Sequence, residues 1–448
     1  MSAAASPTLA PSAPPGGGIA CPQRAAVGIL ASFLIAFGVF LSGFVMREPA
    51  PYELYMVALI GLWGTLGLRL SRHIAPLIVL FILFNIGGMI SMLTMAEVKD
   101  TPLYIAVSLF LALTAIFFAA VIEEDWRRLR LILRAYVAAA VITALLGIFG
   151  YFGVIPGGEA FTRFNRAMGA FQDPNVFGPF LTLPALYLLH GLLAGQLRAA
   201  PWRVLGLLIL TLGVFLSFSR AAWGLWAFAM PALVLLMMVQ RRSGPFRLKM
   251  LVMAVVGLAV LAAAVTIALQ FDQVANLFSE RAKLVQSYDG ARLGRFARHL
   301  IGFSMALDHP LGIGPLEFGL TFGEDTHNIW LKALMDYGWI GFVSYLTLMV
   351  WTLALAFRYL LRDRPWQPFL MIATIVLVGH VLVGTVIDTD HWRHFYLLMG
   401  VVWGCIGLEQ RWQRKGRMQQ PALIENARPG QTLGRRNDAA GANTRPAQ

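Results

Sequence analysis

Certain polar residues in this chain interrupt long apolar runs. Arg220 divides two such runs in FLSFSRAAWG, and His327 closes a long polar stretch just before IWLKALMDYGWIGF. Arg163 and Arg166 fall in TRFNRAMGAFQDPNVFG, and Arg292, Arg295 and Arg298 recur in ARLGRFARHL. Their i, i+3 spacing would put them on one helix face. A guanidinium forms charge-assisted, often bidentate bonds to phosphate oxygens. An imidazole can accept a proton from a hydroxyl at neutral pH. Such a set could hold a phosphate-bearing leaving group beside an attacking hydroxyl.

Each residue also has a plainer reading. Arg220 could be a helix-end arginine reaching toward headgroups. Arg163 and Arg166 could cap a bundle surface. The arginine stripe could be a solvated face or a headgroup contact. Asn328 either orients His327 or caps the helix that follows it. Asp173-Pro174-Asn175 is a turn and helix-start signal. In DTDHWRH, Arg393 belongs to a polar turn suited to substrate contact. The histidines and carboxylates form no recognisable metal set, and no metal or cofactor is expected.

The elements that must position these groups are membrane helices. Of the 448 residues, 58% are apolar and 13% are charged, with mean hydropathy +0.67. A soluble domain carries about twice that charged fraction. Runs of roughly twenty apolar residues recur along the chain, long enough to cross a bilayer. The expected fold is all-α: a polytopic membrane protein of about twelve transmembrane helices. Residues 1–26 read as a disordered tail, 27–269 as the first nine spans and 270–328 as a long helical loop. Residues 329–409 hold the last three spans, with 329–357 read as one long helix. Residues 410–448 read as a second disordered tail.

The net charge of +13 could suggest nucleic acid, but the basic residues sit mostly in alternate short links between spans. That is positive-inside topology, and no nucleic-acid partner is expected. It puts both termini in the cytoplasm and the unusual polar residues on the opposite face. A single helix through 204–239 would need about 36 residues and reach about 54 Å. That overshoots a core of roughly 30 Å, so a turn at Arg220 is expected. Cys21 and Cys405 imply no disulfide framework. No phosphate-binding P-loop or dinucleotide fingerprint is present. An enzyme working on the outward face would need an activated donor already carried by the membrane.

The pieces RFNRAMGAFQDPNVFG, SFSRAAWG, GRFARHLIGFSMALDHPLGIG and HNIWLKALMDYGWIGF occur in this order. Together they resemble the O-antigen ligase / Wzy-type polymerase family of bacterial membrane glycosyltransferases. The resemblance implies a GT-C-like membrane fold in the bacterial inner membrane with a periplasmic active site. It implies metal-independent, inverting transfer from an undecaprenyl-diphosphate-linked glycan to lipid A-core, or to another glycan in a polymerase. By the same resemblance Arg220, Arg295 and His327 would be catalytic. Arg163, Arg166, Arg292, Asn328 and Arg393 would contact substrate. His299 stands where an aromatic is common. The expected partners are the lipid-linked glycan, its acceptor and membrane lipids. A transporter would instead place its functional groups near the bilayer midplane, beside broken helices, and a purely structural scaffold would need no such cluster.

Overall fold

The computed structural model describes residues 22–195, 197–283 and 294–426. In chain order its helices are α1 (Pro22–Leu41), α2 (Pro51–Leu66), α3 (Ala75–Ser91), α4 (Thr101–Glu124) and α5 (Arg128–Tyr151). A two-residue hairpin follows, β1 (Thr162–Arg163) paired antiparallel with β2 (Arg166–Ala167). Then come α6 (Pro174–Phe180), α7 (Thr182–Leu193), α8 (Ala200–Leu216), α9 (Arg220–Gln240) and α10 (Gly244–Ala268). Three shorter helices, α11 (Asp272–Arg281), α12 (Arg295–Asp308) and α13 (Glu317–Phe322), occupy the long polar stretch. The chain closes with α14 (Ile329–Asp336), α15 (Gly338–Tyr359), α16 (Gln367–Val383) and α17 (Arg393–Asn426). Among the described residues seven helices are long and apolar enough to cross a membrane, so the chain is an all-α polytopic membrane protein.

Contacts between distant residues sort the links into two ends. At one end Arg362 and Arg364 both pair with Glu409, at 3.1 and 3.0 Å. There too His73 meets Glu123 at 3.1 Å, and Arg411 donates to the Glu123 carbonyl at 3.1 Å. The other end gathers the β1–β2 hairpin, the α8–α9 turn, α11 to α13 and the α16–α17 link; it is called the site end below. Between the ends lies a continuous apolar core, where Phe118 and Ala115 of α4 lie against Gly400 of α17 and Trp403 is fully buried.

Three expectations need correction. The first is the single helix over 329–357, which breaks after Asp336. The Met335 carbonyl would take the Trp339 N–H in a continuous helix, but it accepts from Ile313 at 2.8 Å. Trp339 donates instead to the Pro310 carbonyl at 3.0 Å. The segment from Pro310 to Ile313 thus supplies the bonds that the break removes. Gly338, at φ +62°, makes the bend, and a Cβ there would lie 2.6 Å from the Leu311 carbonyl. Phe84 of α3 seals the break by stacking on Tyr337 with ring centroids 3.9 Å apart.

The second correction concerns the C-terminal tail. Helix α17 runs on through 410–426, where a disordered tail was expected. Arg411, donating to the Glu123 carbonyl, ties its first extra turn to α4, and Gln413 bonds back to Glu409 within α17. The third is at the N-terminus, where α1 starts at Pro22, inside the expected tail. Proline suits a first helical turn because the missing N–H has no partner there.

Candidate functional site

The arginine side is built on the α8–α9 turn. Phe218 takes φ +46° and Ser219 caps α9, its Oγ accepting from Ala222 N–H at 3.4 Å. Arg220 is the first residue of α9. The β1–β2 hairpin braces this turn. Its two central residues, Phe164 and Asn165, both have positive φ, at 52° and 55°, the geometry that matches the twist of a tight hairpin. Arg163 and Arg166 pair across it. Arg166 is buried; its Nε donates to the Ser217 carbonyl at 2.7 Å and a second guanidinium nitrogen to Asn175 Oδ1 at 2.8 Å. Asp173 caps α6 by accepting from Asn175 N–H at 2.7 Å. Arg163 donates to the Gln172 carbonyl at 3.0 Å and lies over Phe164. Phe278 of α11 packs on Phe215 and Trp223, which sets the start of the long polar stretch beside Arg220.

The histidine side is held from three directions. His327 has φ +51°, a left-handed conformation costly for a side chain with Cβ. Before it, His299 of α12 donates to the Thr326 carbonyl at 2.9 Å, and Arg298 pairs with Glu324 at 2.6 Å. After it, Asn328 Oδ1 caps α14 by accepting from the N–H groups of Trp330 and Leu331 at 3.0 and 3.3 Å. From the side, Ile329 N–H donates to the Gly384 carbonyl at 2.8 Å. Asp388 Oδ2 then lies 3.6 Å from His327 Nδ1.

A polar layer lies beneath. Buried Lys332 reaches Asp325 at 2.6 Å and Asp336 at 3.4 Å. Tyr104 donates to Asp390, and His391 Nδ1 lies 2.8 Å from the same carboxylate oxygen. Burial alone would push the Asp390 carboxyl up; His391, Lys332 and the hydrogen bonds from His391 and Tyr104 outweigh it. They hold Asp390 well below the usual carboxylate range.

Helices α9 and α16 connect the two sides. They run antiparallel: Gln240 donates to Gln367 at 3.0 Å at one end, and a Cβ on Gly379 would meet Leu225 and Phe228 nearer the other. About five further residues along each helix, at about 1.5 Å per residue, bring Arg220 level with Gly384. Gly384 is the residue that accepts from Ile329. Arg220 and His327 therefore stand at one end of the bundle and at about one level, near the end of α16.

This stretch also matches a known family: residues 205–346 fit the family model described as O-antigen ligase. The match supports an assignment to the O-antigen ligase / Wzy-type family for this segment. The match runs from α8 to the first part of α15, so it takes in Arg220, α11 to α13 and His327. No curated protein matches the chain.

The other expected residues are placed as follows. Arg295 opens α12, one turn before Arg298 and His299, which grip the segment leading to His327; its side chain is outside the described residues, as is all of Arg292. Arg393 is engaged by Glu53 and by Glu48, the latter at 2.9 Å, so it ties α17 to α2. Asn328 takes the capping alternative, and Arg166 braces the α8–α9 turn. Reading the sequence put Asp388 in the polar turn on the site face but did not pair it with His327, and it missed Lys332. Lys332 carried a signal, because a lysine in an apolar helix with an aspartate four residues on implies a buried pair. The pairing of Asp388 carried little signal, because its partner is sixty-one residues away in the chain and the Ile329–Gly384 bond helps bring the two together.

Proposed function

We propose that this protein is an O-antigen ligase-like, inverting glycosyltransferase of the bacterial inner membrane. It takes a glycan from undecaprenyl diphosphate and passes it to lipid A-core at the periplasmic face. Its helices make about twelve membrane passes in a GT-C-like arrangement, with both termini cytoplasmic. The observation that carries the reading is the common level of Arg220 and His327 within the segment that fits the family.

Arg220 and Arg295, helped by Arg163, hold the donor's diphosphate and stabilise the charge that develops as it leaves. The acceptor hydroxyl oxygen attacks the anomeric carbon from the face opposite the diphosphate. The new carbon–oxygen bond forms as the bond to the diphosphate oxygen breaks, and the anomeric centre inverts. The hydroxyl proton passes to His327, which Asp388 orients. Undecaprenyl diphosphate departs with the bonding pair. The diphosphate is a good leaving group, so positioning of the acceptor carries more of the work than basicity.

The test uses purified protein in liposomes with an undecaprenyl-diphosphate-linked glycan, with and without chelator. Lipid A-core and a lipid-linked repeat unit are supplied as separate acceptors. Transfer to lipid A-core, lost in R220A and H327A proteins that remain folded, is the expected result. Transfer only to the repeat unit makes the protein a polymerase, and unimpaired transfer by both variants removes the site.

A further inference from the structure

A cleft of about 730 Å³ opens at the site end, between the α3–α4 link and α13. Its size falls within the roughly 300–1,000 Å³ of small-molecule sites. The walls are braced. Thr94 donates to the Gly312 carbonyl at 2.9 Å, and a Cβ on Gly314 would run into Met95. Phe318, fully buried, roots α13 in the small core that includes Leu334 and Met335 of α14. Asp325, two residues before His327, lines the cleft and is the carboxylate that buried Lys332 holds at 2.6 Å.

We propose that this cleft binds the acceptor's sugars and selects residues that carry free hydroxyls rather than phosphate. The proposal rests on the glycosyltransferase reading above and names the acceptor side of that site. Placement is the first argument. Arg220 opens α9, which packs along α16, whereas the cleft lies on the α13 side and its wall ends at Asp325, two residues before His327. With the donor diphosphate at Arg220, a hydroxyl arriving from the cleft meets His327 from the other direction. That is the geometry inversion needs.

Charge is the second argument. Around the cleft Glu97 pairs with Lys99 at 2.7 Å, Glu324 with Arg298 at 2.6 Å and Asp325 with Lys332 at 2.6 Å. Asp100 and Glu317 also line it and make no ion pair among the described residues. The surplus is negative, so a phosphate is repelled. A carboxylate takes hydroxyl hydrogen bonds in their strong, charge-assisted form. Leu316 and Leu320 add apolar surface for the C–H faces of a sugar ring.

The test measures initial rates against acceptor concentration, then against donor concentration, with lipid A-core and with the repeat unit as acceptors. The variants are the double change D100N/E317Q, and L320W, which fills the cleft from a side chain 71% exposed. The acceptor KM should rise about tenfold in each variant, with kcat and donor KM within about twofold of the parent. A cleft-independent acceptor KM in both variants overturns the inference, and so does a rise in donor KM equal to that in acceptor KM. A wild-type protein that transfers no glycan at all would defeat the glycosyltransferase reading instead. Equal melting temperatures of parent and variants in detergent show that the effect is not unfolding.

Discussion

Asp388 Oδ2 lies 3.6 Å from His327 Nδ1, and His327 sits in a left-handed turn at φ +51°. The carboxylate comes from the α16–α17 link and the imidazole from the end of the long polar stretch. They share one place because Ile329 bonds to Gly384. Changing His327 to Ala should lower kcat by about 10²–10⁴, the usual weight of a group handling a proton. D388N should cost about tenfold in kcat with the KM for donor unchanged. In the H327A background D388N should add almost nothing, because the carboxylate acts through the imidazole.

Arg220 is expected to act on the leaving group. R220A should lower kcat by about 10²–10³, and R220K should recover only part, because an ammonium keeps the charge but loses the planar fork. Donors with poorer leaving groups should suffer more in R220A than the natural diphosphate does. Equal losses across a series of leaving groups would assign Arg220 to binding alone.

Lys332 sits among Asp325 and Asp336 with its side chain 4% exposed. Removing the cation alone strands carboxylates in the interior, so K332M should destabilise by roughly 3 kcal/mol. K332M/D336L should regain most of that, since an apolar pair replaces the ionic one. Thermal unfolding in detergent decides it; a double variant less stable than K332M would refute the pairing.

Asp390 makes stability depend on pH. Its carboxyl is held below the usual range, against the opposing effect of burial. A carboxyl depressed in the fold stabilises it at pH above the unfolded value, about 3.9. That contribution is lost as the pH falls below about 4 toward the folded value. The wild-type melting temperature should therefore fall on acidification through this window. D390N should melt lower at pH 7 and show a shallower slope below pH 4. Parallel curves for the two proteins would rule out the contribution.

Gly338 turns the chain where α14 gives way to α15. G338A must hold φ near +62° and place a Cβ 2.6 Å from the Leu311 carbonyl. A loss of roughly 2 kcal/mol is expected, together with loosening of the Pro310–Ile313 segment. Hydrogen exchange at Ile313 N–H, which bonds to Met335, should accelerate in the variant.

The apolar runs were enough to specify a bundle of membrane helices, because a twenty-residue run has no other way to satisfy its backbone in lipid. They were also enough to put a turn at Arg220, because length alone forbids one helix there. Asp173-Pro174-Asn175 was legible as a helix start for a local reason: the cap and its acceptor are two residues apart. The break after Asp336 was not legible. Its hydrogen bonds are supplied by Pro310 and Ile313, and nothing between 329 and 357 records their arrival. The same holds for Asn328, Arg166 and Arg393, whose charges or amides read equally well as substrate contacts. Their partners, among them Ser217 and Glu53, are chosen by packing. Sequence alone determined the local facts, namely that the apolar runs are helical and which residue types could act on a phosphate or a hydroxyl. Tertiary structure decided which of those residues meet, because a side chain's partner across a bundle depends on helix register and bends that no local pattern encodes.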